Sequence, residues 1–248
     1  MQLAAGSGGF RVREARTAAD IERALAFRSA VFRRGAPDRD RFDALCRHLI
    51  VEDAGSGETV ACLRLRVFAR SGEVADCYAG TAYDLSALAT SGLRAAELGR
   101  LAIAQGQPVA EIARLALGAV TRLVDALGVE LVFGCVSVAG IDPVPFAASL
   151  VQNRVPLAPP HWAPAPRSPE RLMLAGLPVG TRAMALPPLL RTYLAMGARV
   201  GDHVVVDRDL GTVHVLAGLE TGEVPAARAA SLRALAALPE TGDGGTRG

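Results

Sequence analysis

The stretch Ala96-Glu97-Leu98-Gly99-Arg100-Leu101-Ala102-Ile103-Ala104-Gln105-Gly106-Gln107-Pro108-Val109 decides how the chain is read. Residues 96–104 are apolar enough for a strand, and residues 105–108 turn it. Pro108 stands where a first helical turn tolerates proline. Residues 109–127 then carry Ile112, Ala116, Val120, Leu123 and Leu127 at helical spacing. Gly128 ends that helix, and residues 129–138 form a near-continuous apolar run, as expected of a strand covered on both faces. Strand, turn, long helix and strand make one crossover, around which the remaining elements are placed.

Upstream, residues 10–16 alternate apolar and charged and predict a half-buried strand. A helix follows over 20–34, with Ile21, Ala24, Leu25, Arg28, Val31 and Phe32 at helical spacing, and a shorter one over 39–46. Residues 48–53 and 59–68 read as a hairpin around Ala54-Gly55-Ser56-Gly57, and 71–92 are rich in turns. Downstream, residues 139–185 hold most of the prolines and the only tryptophan, Trp162, with weak periodicity. A connection of that length is functional or lacks fixed structure. Residues 188–196 predict a short helix, 199–206 and 212–219 a second hairpin, and 225–238 a closing helix. The order mixes hairpins with one crossover, so an α/β (α+β) fold in a single domain spanning 10–238 is expected, with tails at 1–9 and 239–248. Gly6-Ser7-Gly8-Gly9 precedes the first strand, so it is no dinucleotide-binding turn.

Composition removes several classes of function. The formal charge is +2 with the basic residues scattered among acids, which gives no stripe for nucleic acid. Cys46, Cys62, Cys77 and Cys135 form no C-x-x-C pair, and His48, His161, His203 and His214 do not cluster. Free thiols in a reducing compartment and no metal are expected. No run reaches the roughly 18 apolar residues of a membrane span, and residues 1–9 lack the basic start and apolar core of a signal peptide, so the expected location is cytoplasmic. Gly134-Cys135-Val136-Ser137-Val138-Ala139-Gly140 misses the G-x-S-x-G spacing of a nucleophile elbow. His203 and Asp207 are spaced H-x3-D, not H-x4-D, and there is neither H-E-x-x-H nor a P-loop.

Three groups can carry chemistry, each with two readings. Glu97 and Arg100 lie three apart on a strand and point to opposite faces unless a bulge at Gly99 brings them together; they are a general base with its arginine, or an ordinary ion pair. The turn Gln105, Gly106, Gln107 to Ala110 offers backbone N–H groups and a helix N-terminus to phosphates, or is a plain connection. Tyr193, four residues before Gly197, can present a hydroxyl to a leaving thiolate, or is structural. The closing helix, with Ala226, Ala227, Arg228, Leu232, Arg233 and Leu235, either touches a membrane surface or packs on the core.

Together these pieces resemble the GNAT superfamily and, within it, the bacterial ornithine N-acyltransferases of ornithine-lipid synthesis. The matching stretches are Tyr83 to Leu88, Glu97-Leu98-Gly99-Arg100, Leu131 to Ser137, Leu186 to Leu194, Met196-Gly197 and Gly201 to Asp209, in order along nearly the whole chain. The resemblance implies a mixed, mostly antiparallel sheet splayed at its middle strand and flanked by helices. It implies transfer of a 3-hydroxyacyl group from acyl carrier protein to the α-amine of ornithine, with acyl-phosphopantetheine as donor and no permanently bound cofactor. Glutamine as acceptor, acyl-homoserine-lactone synthesis and a non-catalytic acyl-carrier-binding module are the alternatives. The implied roles are Glu97 as base, Tyr193 as acid and backbone near Ile103 as oxyanion donor. Gln105, Gly106, Gln107 and Ala110 would hold the donor; Arg100, Arg64, Arg191 and Trp162 would bind substrate, Trp162 within a Pro-rich cover over 139–185. Peripheral contact with the inner membrane face is also implied.

Overall fold

The computed structural model describes residues 4–7, 9–33, 35–178 and 180–236. The tail expected at 239–248 lies outside the described residues. The described residues group into two compact units, one within 1–65, 99–127 and 226–248 and the other within 66–98 and 128–225.

The first unit holds the antiparallel strands β1 (Ala4–Ser7), β2 (Phe10–Glu14), β3 (Arg47–Asp53) and β4 (Thr59–Val67, whose last residues belong to the other unit), in that order. Residues 4–7 were expected in a tail; instead they pair with β2, Ala4 opposite Arg13 and Ser7 opposite Phe10. Helix α1 (Ala18–Arg33) starts at a reciprocal cap in which Asp20 N–H donates to Thr17 Oγ1 and Thr17 N–H donates to Asp20 Oδ2. Its Ala24 packs with Ile50 of β3 and Cys62 of β4. The helix expected over 39–46 is only a 3-10 turn, Asp43–Leu45. Asp40 and Asp43 take Phe42 N–H and Asp40 N–H on their side chains, which competes with helical hydrogen bonding. The hairpin from β3 to β4 turns on Asp53, whose Oδ1 accepts from Gly55 N–H and Ser56 N–H. The long helix α3 (Val109–Leu127) lies against β1, β2 and β3.

The second unit contains the start of β6 (Ala95–Ile103), then β7 (Leu131–Ala139), β11 (Thr212–Glu220), β10 (Arg199–Asp207) and β9 (Arg171–Met173), in that order. Its β6–β7 pair is parallel and its other pairs antiparallel. A ribbon of β5 (Tyr83–Asp84) and β8 (Ala165–Pro166) stands apart from that sheet. The β6–β7 register covers three residue pairs, ending at Glu97 opposite Phe133, whereas β7 pairs with β11 over its whole length.

The Pro-rich stretch departs from its sequence reading. It forms α4 (Val144–Gln152), β8 and β9, and Trp162 is 1% exposed within a core that includes Phe68, Tyr83, Phe133 and Leu216. The Trp162 indole N–H donates to Glu220 Oε1 at 2.8 Å. A short α2 (Ser86–Thr90) interrupts the turns before β6, and α5 (Pro188–Leu194) leads into β10. The closing helix α6 (Ala226–Ala236) packs on α3 in the first unit, with Arg233 paired to Asp125 at 2.8 Å. Among the described residues no helix is long and apolar enough to cross a membrane.

Gly134 and Gly218 are among the glycines at close approaches in the second unit. A Cβ on Gly134 would sit 2.1 Å from the Leu98 carbonyl oxygen, and one on Gly218 would sit 2.7 Å from the Trp162 ring. Neither backbone nor a buried indole can move aside cheaply. Gly134→Ala should therefore cost about 3 kcal/mol, and Gly218→Ala about 1–3 kcal/mol. Gly72→Ala, which meets nothing within 4 Å, should stay within roughly 0.5 kcal/mol of the parent. Urea unfolding checks all three; a Gly134→Ala protein as stable as the Gly72→Ala control contradicts the packing described here.

Candidate active site

In the first unit, α1 carries an arginine on its buried face. Arg28 is 1% exposed; its Nε reaches Asp38 Oδ2 at 2.8 Å and a terminal nitrogen reaches Asp43 Oδ1 at 2.6 Å. Arg64 on β4 is equally buried and binds Asp43 Oδ1 at 2.6 Å and Asp40 Oδ1 at 2.7 Å. Arg100 on β6 reaches Asp40 Oδ2 at 3.3 Å and Asp38 Oδ2 at 3.5 Å, and Arg33 binds Asp38 Oδ1 at 3.2 Å. Four arginines thus face three aspartates that lie within six residues of chain. Arg100 has φ +54°, a left-handed backbone that costs a non-glycine residue about 1–2 kcal/mol.

The electrostatics follow from this pairing. Burial would raise Asp43, but the hydrogen bond from Arg28, that from Asp40 N–H and the arginine charges outweigh it and hold the carboxyl at about 2. Asp38 is likewise lowered, its burial overcome by the charge of Arg100 and the grip of Arg28. His48, whose Nε2 meets the Asp43 carbonyl at 2.9 Å, is kept neutral by burial. The side chains of Arg33 and Asp40 are the more accessible members of the network, each 22% exposed, and that of Arg100 is 9% exposed.

Also in the first unit, β6 ends at Ile103, and Ala104 N–H donates to the Val60 carbonyl. Gln105, Gly106 and Ala110 are exposed and Gln107 half-buried at the start of α3, with Gly106 at φ +79°. In that first turn Glu111 N–H and Ile112 N–H donate to the Pro108 carbonyl.

In the second unit, Glu97 is 4% exposed. Its Oε1 accepts Ala79 N–H at 2.6 Å and its Oε2 accepts Tyr78 N–H at 3.2 Å, so the carboxylate caps the 3-10 turn Ala79–Thr81. The Cys77 thiol beside it is pushed up by burial and by the Glu97 charge, and Cys62 in the first unit is pushed up to about 12 by burial. Neither thiol is a nucleophile at neutral pH. Tyr78 hydroxyl donates to Asp207 Oδ2 at 3.0 Å. Tyr193, at the end of α5, is half-buried against Val136, Leu190 and Val200; burial raises its phenol, which keeps its proton. Arg191 is exposed on the same helix, whereas Trp162 is a core residue rather than part of an open cover. Among the described residues no three His, Cys, Asp or Glu side chains are grouped to hold a metal ion.

Within the first unit the structure therefore brings together Arg64 and Arg100, and adds Arg28, Asp38, Asp40 and Asp43, which motif reading passed over. The available signal was Arg28 itself, a charged residue at an apolar position of the α1 repeat, followed by three aspartates at 38, 40 and 43. Within the second unit Glu97 meets Tyr78, Ala79 and Cys77, and Tyr193 lies in a different core cluster.

Two groups make stability depend on pH. His214, buried with Tyr83 hydroxyl 3.1 Å from its Nδ1, is lowered from 6.5 to about 4 by burial, partly offset by Asp207. Asp43 falls from 3.8 to about 2. Both lie below their unfolded values, so the unfolded chain binds more protons and stability falls as pH falls. The loss should run from about pH 6.5 to 4 for His214 and from about pH 4 to 2 for Asp43, on the order of 3 and 2 kcal/mol respectively. Urea midpoints measured from pH 8 to 4 should show the first limb, and His214→Gln should flatten it. Midpoints that do not move between pH 7 and 5 would contradict a neutral buried His214.

A family model described as acetyltransferase (GNAT) domain matches residues 23–108, which include Arg28, the three aspartates, Arg64, Glu97 and Arg100. The chain is 30% identical over 240 residues to an L-ornithine N(alpha)-acyltransferase of Rhodobacter capsulatus, covering 88% of this chain and 93% of that protein. It is 30% identical over 241 residues to the enzyme of that name from Rhizobium meliloti, covering 86% and 80%. Among solved structures, an N-acyl amino acid synthase from uncultured soil microbes, FeeM, superposes with a TM-score of 0.49 at 11% identity, covering 86% of this chain and 92% of that one. With such identity sustained over 93% and 80% of these relatives, the chain belongs to the L-ornithine N(alpha)-acyltransferase family.

Proposed function

We propose that this N-acyltransferase moves a 3-hydroxy fatty acyl group from acyl carrier protein to the α-amine of L-ornithine, giving lyso-ornithine lipid. The observation that carries the reading is the 30% identity to enzymes named for that acceptor, held over 88% and 86% of this chain. The donor supplies its thioester through phosphopantetheine, whose phosphate meets the exposed turn Gln105, Gly106, Gln107 and Ala110 at the start of α3.

The amine nitrogen forms a bond to the thioester carbon, the carbon–sulfur bond breaks, and the thiol leaves. Backbone N–H near Ile103 stabilises the developing oxyanion, a donor of this kind being worth about 2.7–4 kcal/mol. Glu97 takes the ammonium proton. Its 4% exposure and two backbone hydrogen bonds favour transfer through an intervening water, and two bonds leave lone pairs for it. Tyr193 retains its proton at neutral pH and gives it to the departing sulfur, and the second proton shed by the acylated nitrogen returns through water to the phenol. Protonated Cys62 and Cys77 favour direct transfer over an acyl-enzyme on either of them.

The partly exposed end of the arginine network suits a zwitterion. Arg100 takes the acceptor's carboxylate and Asp40 an ammonium, with Arg28 and Arg64 fixing Asp40, Asp43 and Asp38 behind them. Arg191, exposed on α5, is a further contact for substrate.

Incubation with 3-hydroxyacyl carrier protein and ornithine, glutamine or S-adenosylmethionine, read by mass spectrometry, tests the acceptor. N-acylornithine is expected; acylglutamine or a lactone alone would reassign it. Glu97→Gln should lower kcat by about 10²–10⁴-fold, with circular dichroism unchanged apart from local effects at residues 78–81. Turnover within threefold of the parent would remove Glu97 as the base. Asp40→Asn should instead raise KM for ornithine, leaving KM for the donor as it was.

A further inference from the structure

In the second unit a cleft of about 370 Å³ opens beside the turn from β10 to β11, a size that suits a small ligand. Tyr78, Thr81, Ser168, Asp207, Asp209 and His214 contribute polar groups to its lining. The proposed chemistry uses none of these side chains. His214 lies opposite Val205 on the neighbouring strand, and Asp207, two residues further along that strand, projects from the same face.

The hydrogen bonds already made around the cleft fix what a ligand meets there. A hydroxyl has one proton to give. Tyr78 gives its proton to Asp207 Oδ2 at 3.0 Å, and Thr81 gives its own to the Tyr78 carbonyl at 2.6 Å. Both hydroxyls are thereby committed as donors and offer lone pairs. Asp207 Oδ1 accepts Leu210 N–H at 3.0 Å, and each carboxylate oxygen can accept a second donor.

His214 is 3% exposed. Tyr83 hydroxyl donates to the His214 carbonyl at 3.0 Å and stands 3.1 Å from the ring Nδ1. With the tyrosine proton committed to the carbonyl, the Nδ1 contact is a hydrogen bond when Nδ1 carries the ring proton. Nε2 is then an acceptor, and it has no hydrogen-bond partner among the described residues. Arg208 also lines the cleft, but its charge is offset by Glu170, bound through Nε at 2.8 Å and a terminal nitrogen at 2.6 Å.

We propose that this cleft binds a primary alkylammonium ion, which donates to Asp207, to His214 Nε2 and to the Tyr78 hydroxyl oxygen. An ammonium has three donors and no acceptor, the complement of a lining whose protons are already spent. An anion would face the carboxylates of Asp207 and Asp209. A metal ion would need the same lone pairs, but among the described residues no three His, Cys, Asp or Glu side chains are grouped to hold one. The acceptor of the proposed reaction ends its side chain in such an ammonium. Giving the cleft to that group rests on the proposed function; a free diamine carries the same chemistry.

Titration of the full chain with diaminobutane, followed by NMR of isotope-labelled histidine nitrogens, tests the cleft. The His214 signals should move with diaminobutane and stay in place with butanediol, its uncharged counterpart. Asp207→Asn, which keeps an oxygen acceptor, should bind diaminobutane about ten- to hundredfold more weakly. Asp209→Asn, at an exposed position, should weaken it about two- to fivefold with the melting temperature unchanged, so the comparison survives if the first variant folds poorly. Silent His214 signals, an equal response to butanediol, or parent affinity in both variants would overturn the proposal. L-Ornithine should move the same signals, L-norvaline, which lacks the terminal amine, should not, and Asp207→Asn should raise KM for ornithine alone. Diaminobutane binding without a response to ornithine keeps the ammonium site and assigns it to a free diamine. The two readings fail separately: ornithine acylation with His214 silent sinks only the cleft, and diaminobutane binding without ornithine acylation sinks only the proposed reaction.

Discussion

Arg28 occupies a buried position of α1 with almost no contact to water, and a guanidinium there is tolerable only when its donors are met by fixed acceptors. Asp38 and Asp43 meet them, and most of the first unit's local structure around the cluster follows from that demand. The segment between the two aspartates has to wrap around the arginine, so it forms turns that end in one short 3-10 turn. Asp43 then binds Arg64 on β4, and Asp38 and Asp40 draw Arg100 toward them. The left-handed backbone of Arg100 is the residual strain in that arrangement. Replacing such an ensemble by apolar side chains is often neutral or stabilising, whereas removing one member alone typically costs about 3–5 kcal/mol. Such a network is therefore weak evidence for stability, and the proposed role of Asp40 and Arg100 in binding the acceptor gives it another use.

Glu97 solves the same burial problem differently. Its carboxylate is met by two backbone N–H groups at the opening of a 3-10 turn, where unsatisfied donors carry partial positive charge. Tyr78 is fixed twice by this, through its N–H to Glu97 and its hydroxyl to Asp207. This difference in surroundings separates the binding role proposed for Asp40 from the proton-accepting role proposed for Glu97.

The β6 strand links these two environments along the chain, three residues apart, and its geometry changes between them. Before residue 98 it is a regular parallel partner of β7, and so close to it that Gly134 has no room for a side chain. After residue 99 it carries Arg100 with a positive φ. Acyl transfer draws much of its rate from positioning and from polar groups fixed in advance. Rigid strands with one defined irregularity supply such fixed groups more accurately than a loop.

Local pattern alone determined much of this protein. The crossover from β6 through α3 to β7, both long hairpins and the closing helix are written in period and punctuation, because those signals lie within a few residues of each other. Glu97, Arg100, Tyr193 and the turn before α3 were legible as candidates because they sit in short motifs, and the family was legible because several such motifs stand in order. Tertiary structure decided what depends on a distant partner. Residues 4–7 became a strand because β2 offers an unpaired edge, and Trp162 entered the core because Gly218 leaves space for its ring. The Pro-rich stretch gained a helix because Phe146 and Leu150 find a buried surface to fill. The aspartates of 38–43 abandoned a helix because Arg28, ten or more residues away in sequence, needed acceptors. Periodicity records which side of a residue is apolar, but not which charge will be brought against it; that depends on where the rest of the chain folds.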